Sequence, residues 1–109
     1  MIYEKIAQVE ELKNGEKKKF SIKGKDILLV NIEDTFYAVD NKCPHMGGSL
    51  VDGTLKDSSI VCPKHGSAFN LKTGEVTGSG KILFVSFNAK NLKTYPIKIE
   101  GEDILIGID

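Results

Sequence analysis

Residues 20–39 read Phe20-Ser21-Ile22-Lys23-Gly24-Lys25-Asp26-Ile27-Leu28-Leu29-Val30-Asn31-Ile32-Glu33-Asp34-Thr35-Phe36-Tyr37-Ala38-Val39. Phe20 and Ile22 alternate with polar neighbours, and Gly24-Lys25 punctuates the chain before Asp26–Ile32. Glu33-Asp34 marks a second turn, and Thr35–Val39 resumes with β-forming aromatic and branched residues. The same period returns at the other end of the sequence. Tyr95, Ile97 and Ile99 share one face, Gly101 to Asp103 turn the chain, and Ile104, Ile106 and Ile108 share another face, which predicts a closing hairpin. Val9–Asn14 is the only stretch with the makings of a helical turn, ended by Gly15. No helical period is sustained elsewhere, so the sequence predicts an all-β fold.

Working outward, 109 residues fit one domain, 1–109. Fifteen Lys balance fifteen Asp and Glu, and no Arg is present. That balance holds in each third of the sequence and lacks the basic excess that nucleic-acid binding requires. Lys17-Lys18-Lys19 lies between Glu16 and Phe20 and reads as the solvated entry to a strand. Met1 to Ile6 has charged residues from Glu4 onward and no apolar run, unlike a secretory signal. Apolar runs such as Ile27-Leu28-Leu29-Val30 are far too short for a membrane span, which needs about 20 residues. These features predict a soluble, cytoplasmic protein without a membrane span.

Between Asn41 and Gly80 the composition shifts: seven of the eleven Gly and two of the three Pro fall there. Such a segment reads as loop-dominated, yet Leu50, Val51, Leu55, Ile60, Val61, Phe69 and Leu71 supply apolar anchors through it. A small subdomain, about residues 42–75, inserted in the β-scaffold is the expected organisation. The scarcest residues also lie there. Both Cys and both His occur as Cys43-Pro44-His45 and, after sixteen residues, Cys62-Pro63-Lys64-His65. Thiolate with imidazole suits iron–sulfur clusters, zinc or copper and is a poor donor set for calcium or magnesium. Thr54–Lys56 and Ser59–Val61, about a turn at Asp57-Ser58, would form a hairpin that returns the chain and sets the two Cys–His loops side by side.

The two boxes resemble the Rieske iron–sulfur pattern, Cys-x-His followed by Cys-x-x-His-Gly. The similarity extends to Leu50 and Gly53 after the first box. It continues through Pro63, Gly66, Phe69 and Thr73-Gly74 in and after the second, and through Leu92, Tyr95-Pro96-Ile97 and Ile104-Leu105-Ile106 towards the C-terminus. The resemblance implies a Rieske-like antiparallel β-sandwich or barrel bearing a cluster-binding subdomain. It implies one 2Fe–2S cluster, with Cys43 and Cys62 on one iron and His45 and His65 on the other. Two Cys and two His also match the donor atoms of a structural zinc site, although zinc fingers pair Cys with Cys and His with His. Gly47, Gly48 and Gly66 are suited both to tight turns and to bringing backbone N–H groups close to cluster sulfur. Ser67 keeps a hydroxyl that the high-potential Rieske proteins of cytochrome bc-type complexes use towards sulfur, whereas Phe69 stands where those proteins have a Tyr.

The implied function is one-electron transfer, as a ferredoxin between redox partner proteins: a reductase and a terminal oxygenase or similar enzyme. A small Rieske subunit of a larger reductase or oxidase is the alternative. No further Cys or His exists to build a catalytic constellation, so no catalytic residues are expected. The disulfide-bearing branch of the family has an additional Cys in each box; here Met46–Ser49 lacks one and Lys64 stands in place of the other. With Ser67 kept and the Tyr hydroxyl lost, the expected midpoint lies in the lower half of a range of roughly −150 to +300 mV. The third, cluster-covering loop of the family has no clear counterpart: Gly78-Ser79-Gly80 is followed by the apolar run Ile82–Phe87, which reads as a core strand.

Overall fold

Alternation along one central strand organises the molecule. The computed structural model describes residues 1–44, 47–64, 66–79 and 91–108. Strands β2 (Lys17–Ile22), β3 (Lys25–Ile32) and β4 (Thr35–Asp40) form the meander expected from residues 20–39, and β9 (Thr94–Tyr95) completes an antiparallel sheet of order β2-β3-β4-β9. Both tight turns place two residues in the left-handed region, Lys23 and Gly24 in one and Glu33 and Asp34 in the other. This is the turn geometry whose twist matches paired strands. The first turn therefore lies one residue earlier than the Gly24-Lys25 punctuation suggests, and Lys25 pairs with Ile22.

Ile27, Leu28, Leu29 and Val30 of β3 are all fully buried. Successive side chains of a strand point to opposite faces, so both faces of this sheet are covered. Ile27 and Leu29 join Ala38, Tyr95, Ile104, Ile106 and Ile108 in one core. Leu28 and Val30 join Val39, Leu50, Ile60 and Phe69 in another.

The first core is closed by a sheet of order β1-β11-β10, made of β1 (Ile2–Gln8), β10 (Ile97–Glu100) and β11 (Asp103–Ile108). The β10–β11 hairpin matches the closing hairpin of the sequence reading, with Ile97 opposite Ile106. Two details differ. Tyr95 belongs to the other sheet, opposite Ala38, and Ile99 is 46% exposed because β10 is an edge strand. The helical turn near residue 9 is a single 3-10 turn, Val9–Glu11, where the Glu11 carboxylate accepts the Gln8 N–H at 2.7 Å.

The second core is covered by a third antiparallel sheet, β5-β6-β7-β8, inserted between β4 and β9. Its strands are β5 (Thr54–Lys56), β6 (Ser59–Val61), β7 (Ser67–Asn70) and β8 (Val76–Ser79). The β5–β6 hairpin has the predicted residues, with Asp57 left-handed at its turn. The region between residues 41 and 80 is thus richer in strand than its Gly and Pro content suggests, because three- and four-residue strands fit between the breakers. The segment Ile82–Phe87 lies outside the described residues. Among the described residues, no helix is long and apolar enough to cross a membrane.

Candidate metal centre

Each cysteine opens a loop of the same form. In the first, the Cys43 N–H donates to the Gly48 carbonyl at 2.8 Å, and the Gly47 N–H donates back to the Cys43 carbonyl at 2.9 Å. In the second, the Cys62 N–H donates to the Ser67 carbonyl at 2.7 Å, and the Gly66 N–H donates back to the Cys62 carbonyl at 3.1 Å. The offsets, five residues forward and four back, are identical. Gly47 and Gly66 occupy equivalent places with φ of 71° and 76°, a conformation that glycine adopts without the Cβ strain other residues incur. His45 and His65, together with Met46, lie outside the described residues.

The β5–β6 hairpin carries the chain from the first loop to the second, and the loops meet at Gly48. A Cβ on Gly48 would stand 3.1 Å from Cys62 Sγ and 3.2 Å from Lys64 Cγ. Cys43 and Cys62 are each 1% exposed, are not bridged by a disulfide, and share the core that contains Leu50, Ile60, Phe69 and Leu71. Burying thiolates in such surroundings is unfavourable without a compensating cation. Two buried soft donors in one apolar core, with a histidine in each loop sequence, therefore fit a thiolate–imidazole metal group.

Asn41 fastens the first loop and was not apparent from the sequence. It is 5% exposed. Its backbone carbonyl accepts the Leu50 N–H at 2.7 Å, its side-chain oxygen accepts the Val51 N–H at 2.8 Å, and its amide donates to Ser49 Oγ at 2.8 Å. Its position immediately after β4 is the only sequence cue, since a capping or clamping amide looks like any other loop Asn. Gly53 and Gly74 were legible as family glycines; the structure gives each a reason. A Cβ on Gly53 would collide with the Val61 carbonyl, and one on Gly74 with the Leu92 carbonyl. Ser67 is buried at the start of β7, and Phe69 is fully buried opposite Ile60.

Beside the first loop, Tyr95 donates its hydroxyl to Asp40 Oδ1 at 2.5 Å. Burial raises the Tyr95 pKa well above its ordinary value, and the hydrogen bond to Asp40 and the Asp40 charge raise it further. This phenol holds its proton and acts as a tether between β9 and β4.

Residues 3–104 match the Rieske [2Fe-2S] domain, and the chain belongs to that family of iron–sulfur proteins. Family membership indicates a 2Fe–2S cluster as its cofactor. The ferredoxin component of the naphthalene 1,2-dioxygenase system of Pseudomonas aeruginosa is 33% identical over 98 residues, covering 90% of this chain and 88% of that protein. Apoptosis-inducing factor 3 of Mus musculus is 32% identical over 101 residues, but these cover 93% of this chain and 16% of that protein. Among solved structures, the ferredoxin of carbazole 1,9a-dioxygenase from Nocardioides aromaticivorans IC177 superposes with a TM-score of 0.87 at 25% identity, covering 100% of both chains.

Proposed function

We propose that Cys43, His45, Cys62 and His65 hold the 2Fe–2S cluster and that the chain carries single electrons from a reductase to a terminal oxygenase. The observation that carries this reading is the burial of Cys43 and Cys62 in one apolar core, on loops with the same hydrogen-bond pattern. The cluster supplies one-electron chemistry when bound. The protein's part is to hold the thiolates, exclude water from them and leave the loops at the edge of the fold. Gly47 and Gly66 shape the loops, Gly48 lets them meet, and Ser67 fixes the second through its carbonyl. We treat about residues 42–75 as the cluster-binding subdomain of a single domain.

Support for an oxygenase partner comes from the similarity to dioxygenase ferredoxins over nearly their whole length. The chain has no Cys or His beyond the four proposed ligands, so we read it as a carrier rather than a catalyst, working in the cytoplasm. The match to a small part of apoptosis-inducing factor 3 favours one alternative, a Rieske module serving a larger oxidoreductase. Reconstitution distinguishes them. With an NADH-dependent reductase and an aromatic-ring oxygenase, the carrier reading predicts product formation that requires this chain. Prompt reduction of the cluster by the reductase without transfer to any oxygenase would contradict it.

The cluster's potential follows from the same residues. We expect a midpoint in the lower half of roughly −150 to +300 mV, because Phe69 offers no hydroxyl where the high-potential, disulfide-bearing branch has a Tyr. A potentiometric titration with a midpoint near the top of that range would refute this.

A further inference from the structure

Charge is balanced over the whole chain but not around the two cysteine loops. Across residues 41–51 and 62–71, Lys42 and Lys64 are the only Lys, Asp or Glu. Both side chains lie against the glycine pair of the first loop. Lys42 Cε is 3.6 Å from the place of a Cβ on Gly47, and Lys64 Cγ is 3.2 Å from that of Gly48, which also faces Cys62 Sγ. Next to Lys42, a surface hollow of about 350 Å³ is lined by Lys25, Lys93, Asp26, Asp40 and Tyr95. Asp40 accepts from Tyr95 at 2.5 Å and Asp26 from Ser21 Oγ at 2.6 Å. These neutral donors leave both carboxylates charged, so Lys25, Lys42 and Lys93 outnumber Asp26 and Asp40 by one around the hollow. Lys93 is held over the Tyr95 ring, 5.1 Å from its centre.

The lysines of the β1-β11-β10 side are arranged differently. Lys5 pairs with Asp103, Lys23 with Glu4, and Lys98 with Glu100. Among the described residues, no carboxylate forms an ion pair with Lys25, Lys42, Lys64 or Lys93, nor with Lys13, Lys17, Lys18, Lys19, Lys56 or Lys72 elsewhere. What sets the first group apart is its place beside the cysteine loops. Lys42, Lys64 and Lys93 are exposed. A neutral protein thus presents an excess of lysine beside its buried thiols, whereas β1, β10, β11 and the turn at 101–102 carry more carboxylates than lysines. Clustered charge of one sign steers an oppositely charged partner into register and raises its rate of encounter.

We propose that electrons pass through this lysine-lined face and that it docks a carboxylate-rich surface of the redox partner. The proposal rests on the electron-carrier reading above and adds the chemistry of the partner. It is tested on the native, cluster-loaded chain by stopped-flow oxidation with two small complexes, anionic hexacyanoferrate(III) and cationic tris(1,10-phenanthroline)cobalt(III). In each reaction one electron leaves the reduced cluster and reduces the complex to hexacyanoferrate(II) or to the cobalt(II) complex.

The oxidised core and its two thiolates sum to zero, so the reduced, cluster-loaded chain carries a net charge of about −1 and repels an anion overall. A rate constant with the anion that falls with salt therefore reports a local positive field. The rate constant with the anion should fall about threefold or more between roughly 10 and 300 mM salt, and that with the cation should not fall. The double variant K42E/K93E should abolish or reverse the anion's salt dependence, whereas K5E should leave it unchanged. As a readout independent of electron transfer, redox-inert hexacyanochromate(III) should broaden the NMR amide signals of Lys25 and Lys93 more than those of Lys5 and Lys98. An anion rate that is flat or rises with salt, or equal broadening at both sets of lysines, would overturn the proposal. A chain without a reducible cluster would overturn the carrier reading instead, and the broadening would still locate the anion-attracting face.

Discussion

Gly48 of the first loop and Cys62 of the second are in such close approach that a methyl group on the glycine would lie 3.1 Å from the thiol sulfur. The two halves of the site are therefore packed against each other and not merely neighbours in the fold. Gly48 does not have a left-handed backbone, so alanine is allowed there conformationally and its cost is purely steric. Lys64 can swing away from the added methyl, whereas the Cys62 sulfur cannot move without leaving the position at which we propose it holds the cluster. Gly48→Ala should fold, lose about 1 kcal/mol of stability, and lose its cluster several-fold faster under a chelator. Bleaching of the visible absorbance measures this; a wild-type rate would show that the contact has no influence on the site.

Asn41 makes a separate prediction because it holds three consecutive loop residues, Ser49, Leu50 and Val51. Asn41→Ala removes the acceptor of the Val51 N–H and the donor to Ser49 Oγ. Leaving the part-buried Val51 N–H without its acceptor costs about 1 kcal/mol, the low end of the range for a fully buried group. Urea unfolding should show a lowered midpoint with an unchanged slope, and a shift below about 0.5 kcal/mol would mean that water replaces the clamp.

Two glycines with similar left-handed φ separate conformational strain from collision. Gly15, with φ of 84°, has open space where a Cβ would go, whereas Gly74, with φ of 80°, faces the Leu92 carbonyl. Gly15→Ala should cost about 1–2 kcal/mol from backbone strain alone. Gly74→Ala carries the same strain and must also displace the segment that leads into β9, so its loss should exceed about 3 kcal/mol. Equal unfolding midpoints for the two variants would contradict this distinction.

What could be read from the sequence, and what could not, follows the range of the interactions. The β2–β3–β4 meander and the β5–β6 hairpin were legible because their turn residues and alternation lie within a few positions of the pairs they create. The partner of Tyr95 was not: its neighbour Ala38 is contributed by a strand far away in sequence, and period alone groups Tyr95 with Ile97. The strand β1 was hidden among charged residues, since its pairing with β11 joins the two ends of the sequence. At the site, the scarcity and spacing of Cys43 and Cys62 singled them out, and Gly47 and Gly66 were read as suited both to tight turns and to bringing N–H groups close to cluster sulfur. The matching geometry of the two loops, the contact of Gly48 with Cys62 and the Asn41 clamp depend on tertiary placement that spacing does not encode.

Tyr95 gives a pH-dependent expectation. Its raised pKa means that the folded chain retains the phenolic proton where the unfolded chain has released it. This contribution is complete below the ordinary tyrosine value of about 10 and declines as pH rises above it towards the folded-state value. At neutral pH, Tyr95→Phe should be less stable by roughly 1 kcal/mol. From about pH 10 upward the wild type should lose stability more steeply than the variant, so that the difference narrows. Urea midpoints measured from pH 8 to 12 test this; parallel curves would contradict it.

The central claim is that the two cysteine loops, with His45 and His65, hold a Rieske 2Fe–2S cluster. Its most direct test is electron paramagnetic resonance of the purified chain before and after dithionite, with iron, sulfide and zinc analysis of the same sample. The account predicts about two irons and two sulfides per chain, with no signal when oxidised and a Rieske-type signal after one-electron reduction. About one zinc per chain, with no iron and no signal on reduction, would contradict it.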